Sequence, residues 1–201
     1  MITLSLGPAK TAEKPGGAAP VEGLFHFEEP KVAYVPASEM ERAFEDKLVR
    51  MQDSVALHVE PARLAGVKFY ALYFAAGWNT ACRSFTEKLA KAYPKLRELY
   101  PEFEVVLVSR DPSRTAMVTA MHIEQMPWPA LRWDLNAGAR DITRYGRGIP
   151  CLVLIDAEGK VLADTYRDGL FVGSDAVLTE IWKTLFDYRR SHPLAKPKVK
   201  G

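Results

Sequence analysis

The segment with the clearest chemical character is 74–85, where a cysteine, Cys82, stands four positions after Trp78. A long apolar run, 67–75, leads into this segment and is typical of a strand that is covered on both faces. From position 79 to position 99, apolar residues recur at helical spacing. Cys82 is therefore expected in the first turn of a helix that begins where a buried strand ends.

Thiol–disulfide exchange needs two thiols at such a place. One exposed thiolate attacks a disulfide, and a second thiol releases the resulting mixed disulfide. The helix N-terminus activates the first, because its N–H groups and dipole stabilise negative charge. Here Asn79 stands three residues before Cys82, where a dithiol motif would carry its other cysteine. An amide is not a nucleophile, but Asn is a strong helix cap, so two roles stay open: a cap, or a donor to a Cys82 thiolate or to a ligand.

The two cysteines of the chain each allow alternatives. Cys82 is either a shielded, inert thiol or one close enough to the helix dipole to ionise. Cys151 begins an apolar run, and the core is its expected location because cysteine is among the most buried residue types. Neither cysteine has zinc-ligand spacing with the other or with a histidine, so we assign no metal and no cofactor.

Composition limits the possible partners and locations. The chain has 201 residues, 48% of them hydrophobic, and a net charge of only +2. This balance gives no electrostatic reason to expect nucleic acid as a partner. No run approaches the roughly 18 apolar residues needed to span a bilayer, and the first residues lack the features of a signal peptide. We expect a soluble protein of unknown compartment.

The chain divides into four parts. Residues 1–37 are expected to be a flexible N-terminal extension rich in Pro, Gly and Ala, and residues 191–201 a loose basic C-terminal tail. Residues 38–53 should form an N-terminal helix running to about Met51, because Ser38 and Glu41 make a capping-box pattern. The main domain is expected at 54–190.

Strands and helices alternate in this main domain. Its strands are predicted at 54–59, 67–75, 103–109, 150–156 and 160–166. Its helices are predicted at 79–99, 111–121 and 136–145, with a last helix capped by Ser174 that turns Phe186 inward. The order predicts an α/β fold with a central mixed β-sheet and helices on both faces.

Three motifs in this order resemble the thioredoxin superfamily, in particular its tryparedoxin and nucleoredoxin branch, which is related to TlpA-like proteins. The segment 74–83 is similar to the family's Phe-x-Ala…Trp-Cys-x-x-Cys-Arg signature, with Asn79 in place of the first cysteine. Residues 126–128 match its Met-Pro-Trp, and residues 148–150 match its Gly-Ile-Pro. The resemblance covers about residues 54–190 and implies a thioredoxin-like fold.

The resemblance also implies roles for individual residues. Cys82 would be the remaining catalytic thiol of a degenerate motif. A substrate groove would be formed by Trp78, Asn79, Arg83, Ile149 and the cis proline Pro150. In the family's fold the cis-proline loop faces the active-site helix, so Cys151 is a possible second thiol and a disulfide between Cys82 and Cys151 is conceivable.

Two classes of function follow from these residues. The first is a thiol–disulfide oxidoreductase relative with weak, monothiol or no dithiol reductase activity, acting on a protein or peptide thiol or disulfide. The second is a non-enzymatic module that binds peptides or proteins in the groove of Trp78 and Pro150. A peroxidase-like single-cysteine enzyme is disfavoured, because Ala75 stands where peroxiredoxins carry a proline seven residues before their cysteine.

Overall fold

A computed structural model describes residues 34–194. The predictions of a flexible extension and of a loose basic tail fall mainly on residues 1–33 and 195–201, which lie outside the described residues. Within the described part, a seven-stranded sheet is the centre of the fold.

The main sheet is mixed, as the sequence predicted. Its spatial order is β2-β1-β5-β4-β3-β6-β7, and a separate two-stranded ribbon is formed by β8 and β9. The strands are β1 (Leu48–Gln52), β2 (Val55–His58), β3 (Phe69–Ala75), β4 (Phe103–Ser109), β5 (Ala130–Leu131), β6 (Cys151–Asp156), β7 (Val161–Asp164), β8 (Tyr166–Arg167) and β9 (Leu170–Phe171).

The strand β3 lies in the interior of the sheet, between β4 and β6, and every one of its residues is buried. It pairs in parallel with β4 and antiparallel with β6, and Phe74 lies opposite Cys151 in the second pairing. Its side chains alternate between two apolar cores: Tyr73 belongs to one core, and Phe74 to the core on the other face of the sheet. The end of β3 therefore places the next segment, with Trp78, at the carboxyl edge of the sheet.

Helices cover both faces, which confirms the predicted layering. The α-helices are α1 (Glu39–Phe44), α2 (Thr80–Leu99), α3 (Arg114–Ile123), α4 (Arg140–Thr143) and α5 (Ser174–Ser191), and Pro61–Leu64 and Trp133–Leu135 are 3-10 helices. Buried side chains of α2, α3 and α5 join the core that contains Tyr73. Those of α1 and α4 join the core that contains Phe74.

The predicted N-terminal helix was too long. The helix α1 ends at Phe44, and Leu48–Gln52 is a strand that pairs with both β2 and β5. Met40, Phe44 and Leu48 are all buried and four residues apart, which is the pattern of one helical face. The chain reverses direction between Phe44 and Leu48, so the pattern continues although the helix does not. The reversal passes through Asp46, whose φ is +55°.

Two details predicted for the last helix were also wrong. Gly173, with a φ of +88°, is the residue that precedes α5, and Ser174 is the first helical residue rather than its cap. The hydroxyl of Ser174 instead donates to the carbonyl of Pro150 at 3.4 Å. Phe186 faces solvent with 54% exposure, because the buried face of α5 is made by Val177, Ile181 and Leu185.

The start of α2 is fixed by one side chain. Asn79 has extended backbone angles, and its Oδ1 accepts the backbone N–H of Cys82 at 3.0 Å. This is the helix-capping role that the sequence left open, and a buried run of side chains from Cys82 to Leu96 follows it along α2.

Replacement of this cap should destabilise the fold by an amount that denaturation can measure. We expect Asn79→Ala to lower the free energy of unfolding by about 1 kcal/mol, because the Cys82 N–H loses its acceptor. Asn79→Asp should keep the loss below about 0.5 kcal/mol, since a carboxylate caps equally well. Ser113→Ala is the matched control: Ser113 caps α3 through the Ala116 N–H at 3.1 Å. Equal stability of Asn79→Ala and wild type in urea titrations would contradict the assignment.

Candidate functional site

The thiol of Cys82 lies beneath the first turn of α2, where only 1% of the residue is exposed. Burial raises the pKa of this thiol to about 11, and a hydrogen bond with the Ala76 backbone opposes the shift without overcoming it. The carboxylates of Glu124 and Asp111 raise the pKa further. Desolvation therefore outweighs the helix N-terminus, and Cys82 is a neutral thiol near pH 7.

A buried tyrosine holds the same turn from below. The hydroxyl of Tyr73 donates to the carbonyl of Cys82 at 3.0 Å and lies 3.0 Å from the hydroxyl of Thr86. Burial raises the pKa of Tyr73 well above its ordinary value, so this hydroxyl keeps its proton and remains a donor. The first turn of α2 is thus tied to the central strand.

Arg83 is bound to the loop that precedes α2. Its Nη1 donates to the Gly77 carbonyl at 2.8 Å, and its Nη2 donates to the Thr80 hydroxyl at 3.0 Å. From the other side, the Gly77 N–H donates to Asp111 Oδ1 at 3.0 Å, and the Ser109 hydroxyl donates to Asp111 Oδ2 at 2.8 Å. The residues 77–80 are therefore fixed by both α2 and the end of β4.

A cavity of about 560 Å³ adjoins this loop on the side of α3. Two exposed apolar side chains border it, Trp78 with 62% exposure and Ile123 with 70%. Gly77 approaches α3 so closely here that a Cβ would stand 2.5 Å from that of Ala120. The cavity also includes Arg83, but Ile149 and Pro150 do not line it.

Ile149 and Pro150 lie elsewhere at the same edge of the sheet. Both are half-buried, the peptide bond between them is cis, and Cys151 follows them directly as the first residue of β6. Of the expected groove residues, the structure thus joins Trp78 and Arg83 in one cavity, places Asn79 as the cap beside them, and leaves the cis-proline loop outside that cavity.

The conceivable disulfide between Cys82 and Cys151 is excluded by the strand alternation. Both thiols are free and buried. Cys82 packs in the core that contains Tyr73, whereas Cys151 packs with Phe74 on the opposite face of the sheet. Burial raises the pKa of the Cys151 thiol as well, and Cys151 lies in the core in this structure.

Three residues near the thiol were not found from the sequence. Tyr73 lay hidden in an apolar strand, although its hydroxyl was a signal that a partner was needed. Asp111 follows β4, a common place for site residues, but its bond to Gly77 depends on tertiary contact. Glu124 lines the cavity from the end of α3, and burial raises the pKa of its carboxyl group. The sequence predicted the end of this helix at position 121, before Glu124.

The described residues show neither a metal-ligand cluster nor a membrane-spanning helix. Among residues 34–194, no group of three His, Cys, Asp or Glu side chains is arranged to hold a metal ion. In the same part of the chain, no helix is both long and apolar enough to cross a membrane.

Comparison with known proteins shows which families the chain is similar to. Residues 66–161 match the family model described as thioredoxin-like. Nucleoredoxin of Xenopus laevis is 36% identical over 105 residues, which are 51% of this chain and 25% of the relative. Probable nucleoredoxin 2 of Oryza sativa is 36% identical over 132 residues, 61% of this chain and 33% of the relative. The chain therefore spans only a quarter to a third of the length of these relatives.

Solved structures of thioredoxin-like proteins are also similar to this chain. Native tryparedoxin I from Crithidia fasciculata superimposes with a TM-score of 0.53 and 27% identity, covering 70% of this chain and 90% of that chain. Thioredoxin from Wuchereria bancrofti, at 23% identity and a TM-score of 0.52, shares the fold over 70% of this chain and 96% of that chain. The chain has a thioredoxin-like fold, and it is similar in sequence to nucleoredoxins and in structure to tryparedoxin I.

Proposed function

We propose that this protein has no dithiol reductase activity and instead binds extended segments of partner proteins beside Trp78 and Pro150. One observation carries the proposal: Asn79 caps α2 at the position of the attacking cysteine, above a Cys82 thiol that is buried and neutral. The surface around this position keeps an exposed aromatic side chain and a cis-proline loop.

Loss of dithiol chemistry follows from the requirement for an attacking thiolate. An attacking group must be exposed and ionised, and the only thiol of the motif is neither. Asn79 is not a nucleophile, because the lone pair of an amide nitrogen is delocalised into its carbonyl, and its Oδ1 accepts the Cys82 N–H. The second thiol of the chain faces the opposite core, so it cannot resolve a mixed disulfide at Cys82.

Monothiol and peroxidase chemistry need the same ionised sulfur and are disfavoured on the same ground. A peroxidatic or monothiol cysteine must present a thiolate to its substrate. Here burial raises the pKa of Cys82 to about 11, and Glu124 and Asp111 oppose ionisation further.

Binding is supported by what the site retains. Trp78 presents a large apolar surface with a polar N–H, a combination suited to partner contacts. The cis-proline loop directly precedes the first residue of β6, and an extended partner segment can pair with the backbone of this loop through hydrogen bonds without any thiol. Recognition of this kind can persist after the catalytic cysteine is lost.

The reactivity of Cys82 is the first test. In Cys151→Ser, which leaves one thiol, we expect alkylation by iodoacetamide at pH 8 to be at least a hundredfold slower than in 6 M guanidinium. With a pKa near 11, about one Cys82 thiol in a thousand is ionised at pH 8, against about one in four for an ordinary cysteine. The rate should rise about tenfold per pH unit from pH 8 to 10. A rate that levels off below pH 7 would show a stabilised thiolate and favour a monothiol enzyme.

The second test restores the missing thiol. We expect wild type to reduce insulin with dithiothreitol at the background rate and Asn79→Cys to exceed that rate at least fivefold. The introduced thiol would stand at the helix N-terminus near Arg83, where its thiolate is stabilised. Asn79→Ser is the matched control, because it keeps a capping oxygen and adds no thiol.

One result would contradict the proposed loss of chemistry, and another would contradict its attribution to Asn79. Wild-type turnover well above background that Cys82→Ser abolishes would show that a single thiol still works. An inactive but folded Asn79→Cys would show that the surrounding site no longer supports dithiol exchange, so the loss is not due to Asn79 alone.

A further inference from the structure

The ribbon of β8 and β9 exposes an apolar surface that the main sheet does not cover. Leu170, Phe171 and Val172 are 71%, 60% and 39% exposed. The ribbon is a separate two-stranded unit whose turn passes through Asp168 and Gly169, both with positive φ. Large apolar side chains that stand together on a protruding hairpin are typical of a contact surface.

The base of this hairpin is built onto the cis-proline loop. The Leu152 N–H donates to the Thr165 hydroxyl at 2.9 Å, and the Thr165 N–H donates to the Leu152 carbonyl at 3.1 Å. The ring of Tyr166 packs on Gly148 so closely that a Cβ there would stand 2.4 Å from the tyrosine hydroxyl. Ser174, just beyond the hairpin, donates to the carbonyl of Pro150. The hairpin is therefore a wall of the cis-proline site.

The hairpin is held in one orientation. The rings of Tyr166 and Phe171 lie edge to face with centroids 5.4 Å apart. Arg167 forms an ion pair with Glu180 of α5. Fixed exposed side chains contribute more to binding than mobile ones, because less conformational entropy is lost on association.

Two arginines lie at the same edge of the sheet. The guanidinium of Arg110 stands over the ring of Phe74 at 5.4 Å, and Gly146 packs against that same ring. Arg147 follows Gly146; its side chain is 57% exposed and reaches Asp164, at the hairpin base, only at 3.8 Å. Arg147 therefore stands beside the hairpin base. Arg110 stands beside Phe74, which lies opposite Cys151 in the sheet, and Cys151 directly follows Pro150. Arg147, which Asp164 reaches only at 3.8 Å, puts positive charge next to the apolar hairpin, and Arg110 adds charge further along the same edge. This pattern is complementary to an acidic segment that carries an apolar residue.

We propose that the β8–β9 hairpin and the arginines 110 and 147 select an extended acidic–apolar segment of a partner protein. The segment lies along the cis-proline loop, seats an apolar side chain on Leu170 and Phe171, and places a carboxylate at Arg147. The inference rests on the proposed binding function and names its partner class.

The test starts from an unbiased probe. Phage-displayed random linear dodecapeptides are selected on the wild-type protein, and enriched peptides are synthesised and titrated by fluorescence anisotropy. We expect enrichment of peptides that combine Asp or Glu with Leu, Phe, Ile or Trp. Their affinity should fall with added salt, since Arg110 and Arg147 are exposed.

Variants locate the binding surface. Leu170→Ser/Phe171→Ser should weaken the enriched peptides at least tenfold, and Arg110→Glu and Arg147→Glu at least fivefold with a smaller dependence on salt. Val55→Ser is the matched apolar control, because Val55 is similarly exposed, at 57%, but lies on β2 at the far edge of the sheet. Arg50→Glu is the charge control, since β1 is four positions from β6 in the sheet. Both controls should stay within twofold of wild type, and thermal melting confirms that each variant is folded.

The outcomes separate this inference from the proposed function. Peptides that bind folded hairpin and arginine variants as well as wild type, but fail to bind Trp78→Ala, overturn the hairpin inference and leave binding beside Trp78 intact. Enrichment of basic peptides, or tighter binding of a labelled oligonucleotide than of any peptide, overturns the partner class. Failure to enrich any peptide overturns both. Reductase activity of wild type would refute the loss of catalysis without affecting the hairpin result.

Discussion

The hydrogen bond between the Cys82 amide and the Asn79 side chain is the constraint on which the rest of the site depends. It fixes where α2 begins, and it uses one of the N–H groups that would otherwise stabilise an anion at that helix terminus. The loop before it is then held by Arg83 and Asp111. Asn79 thus stabilises the start of the helix beneath which the Cys82 thiol is buried.

The state of Cys82 illustrates a competition between two effects of opposite sign. A helix N-terminus lowers a thiol pKa, while removal of water raises it. With 1% of the residue exposed and two carboxylates close by, desolvation wins, and the pKa rises to about 11. Since a thiol of this kind is a core side chain, the chemical interest of the site moves from sulfur to the surface around Trp78.

The sequence predicted the layers of the fold because they depend on local patterns. The continuous apolar run before Trp78 reflects a strand that is buried on both faces. The helical spacing after Asn79 reflects a helix that is buried on one face. The site was predicted less completely, because its contacts are tertiary. The bond from Gly77 to Asp111 joins residues 34 positions apart, and the opposite facing of Cys82 and Cys151 depends on strand register. The predicted length of α1 was wrong for a related reason, since Leu48 keeps the helical spacing although it lies in a strand after the chain has turned.

Two surfaces meet at the carboxyl edge of the sheet, and their chemistry differs. The cavity between Trp78 and Ile123 is largely apolar and lies on the α3 side, whereas the cis-proline loop is bordered by the β8–β9 hairpin and Arg147. Neither surface includes an ionised thiol, so selection by either must come from shape, apolar contact and charge. A site with such walls can discriminate between partners through the shape and charge of the walls alone, so a buried, neutral thiol is compatible with specific binding.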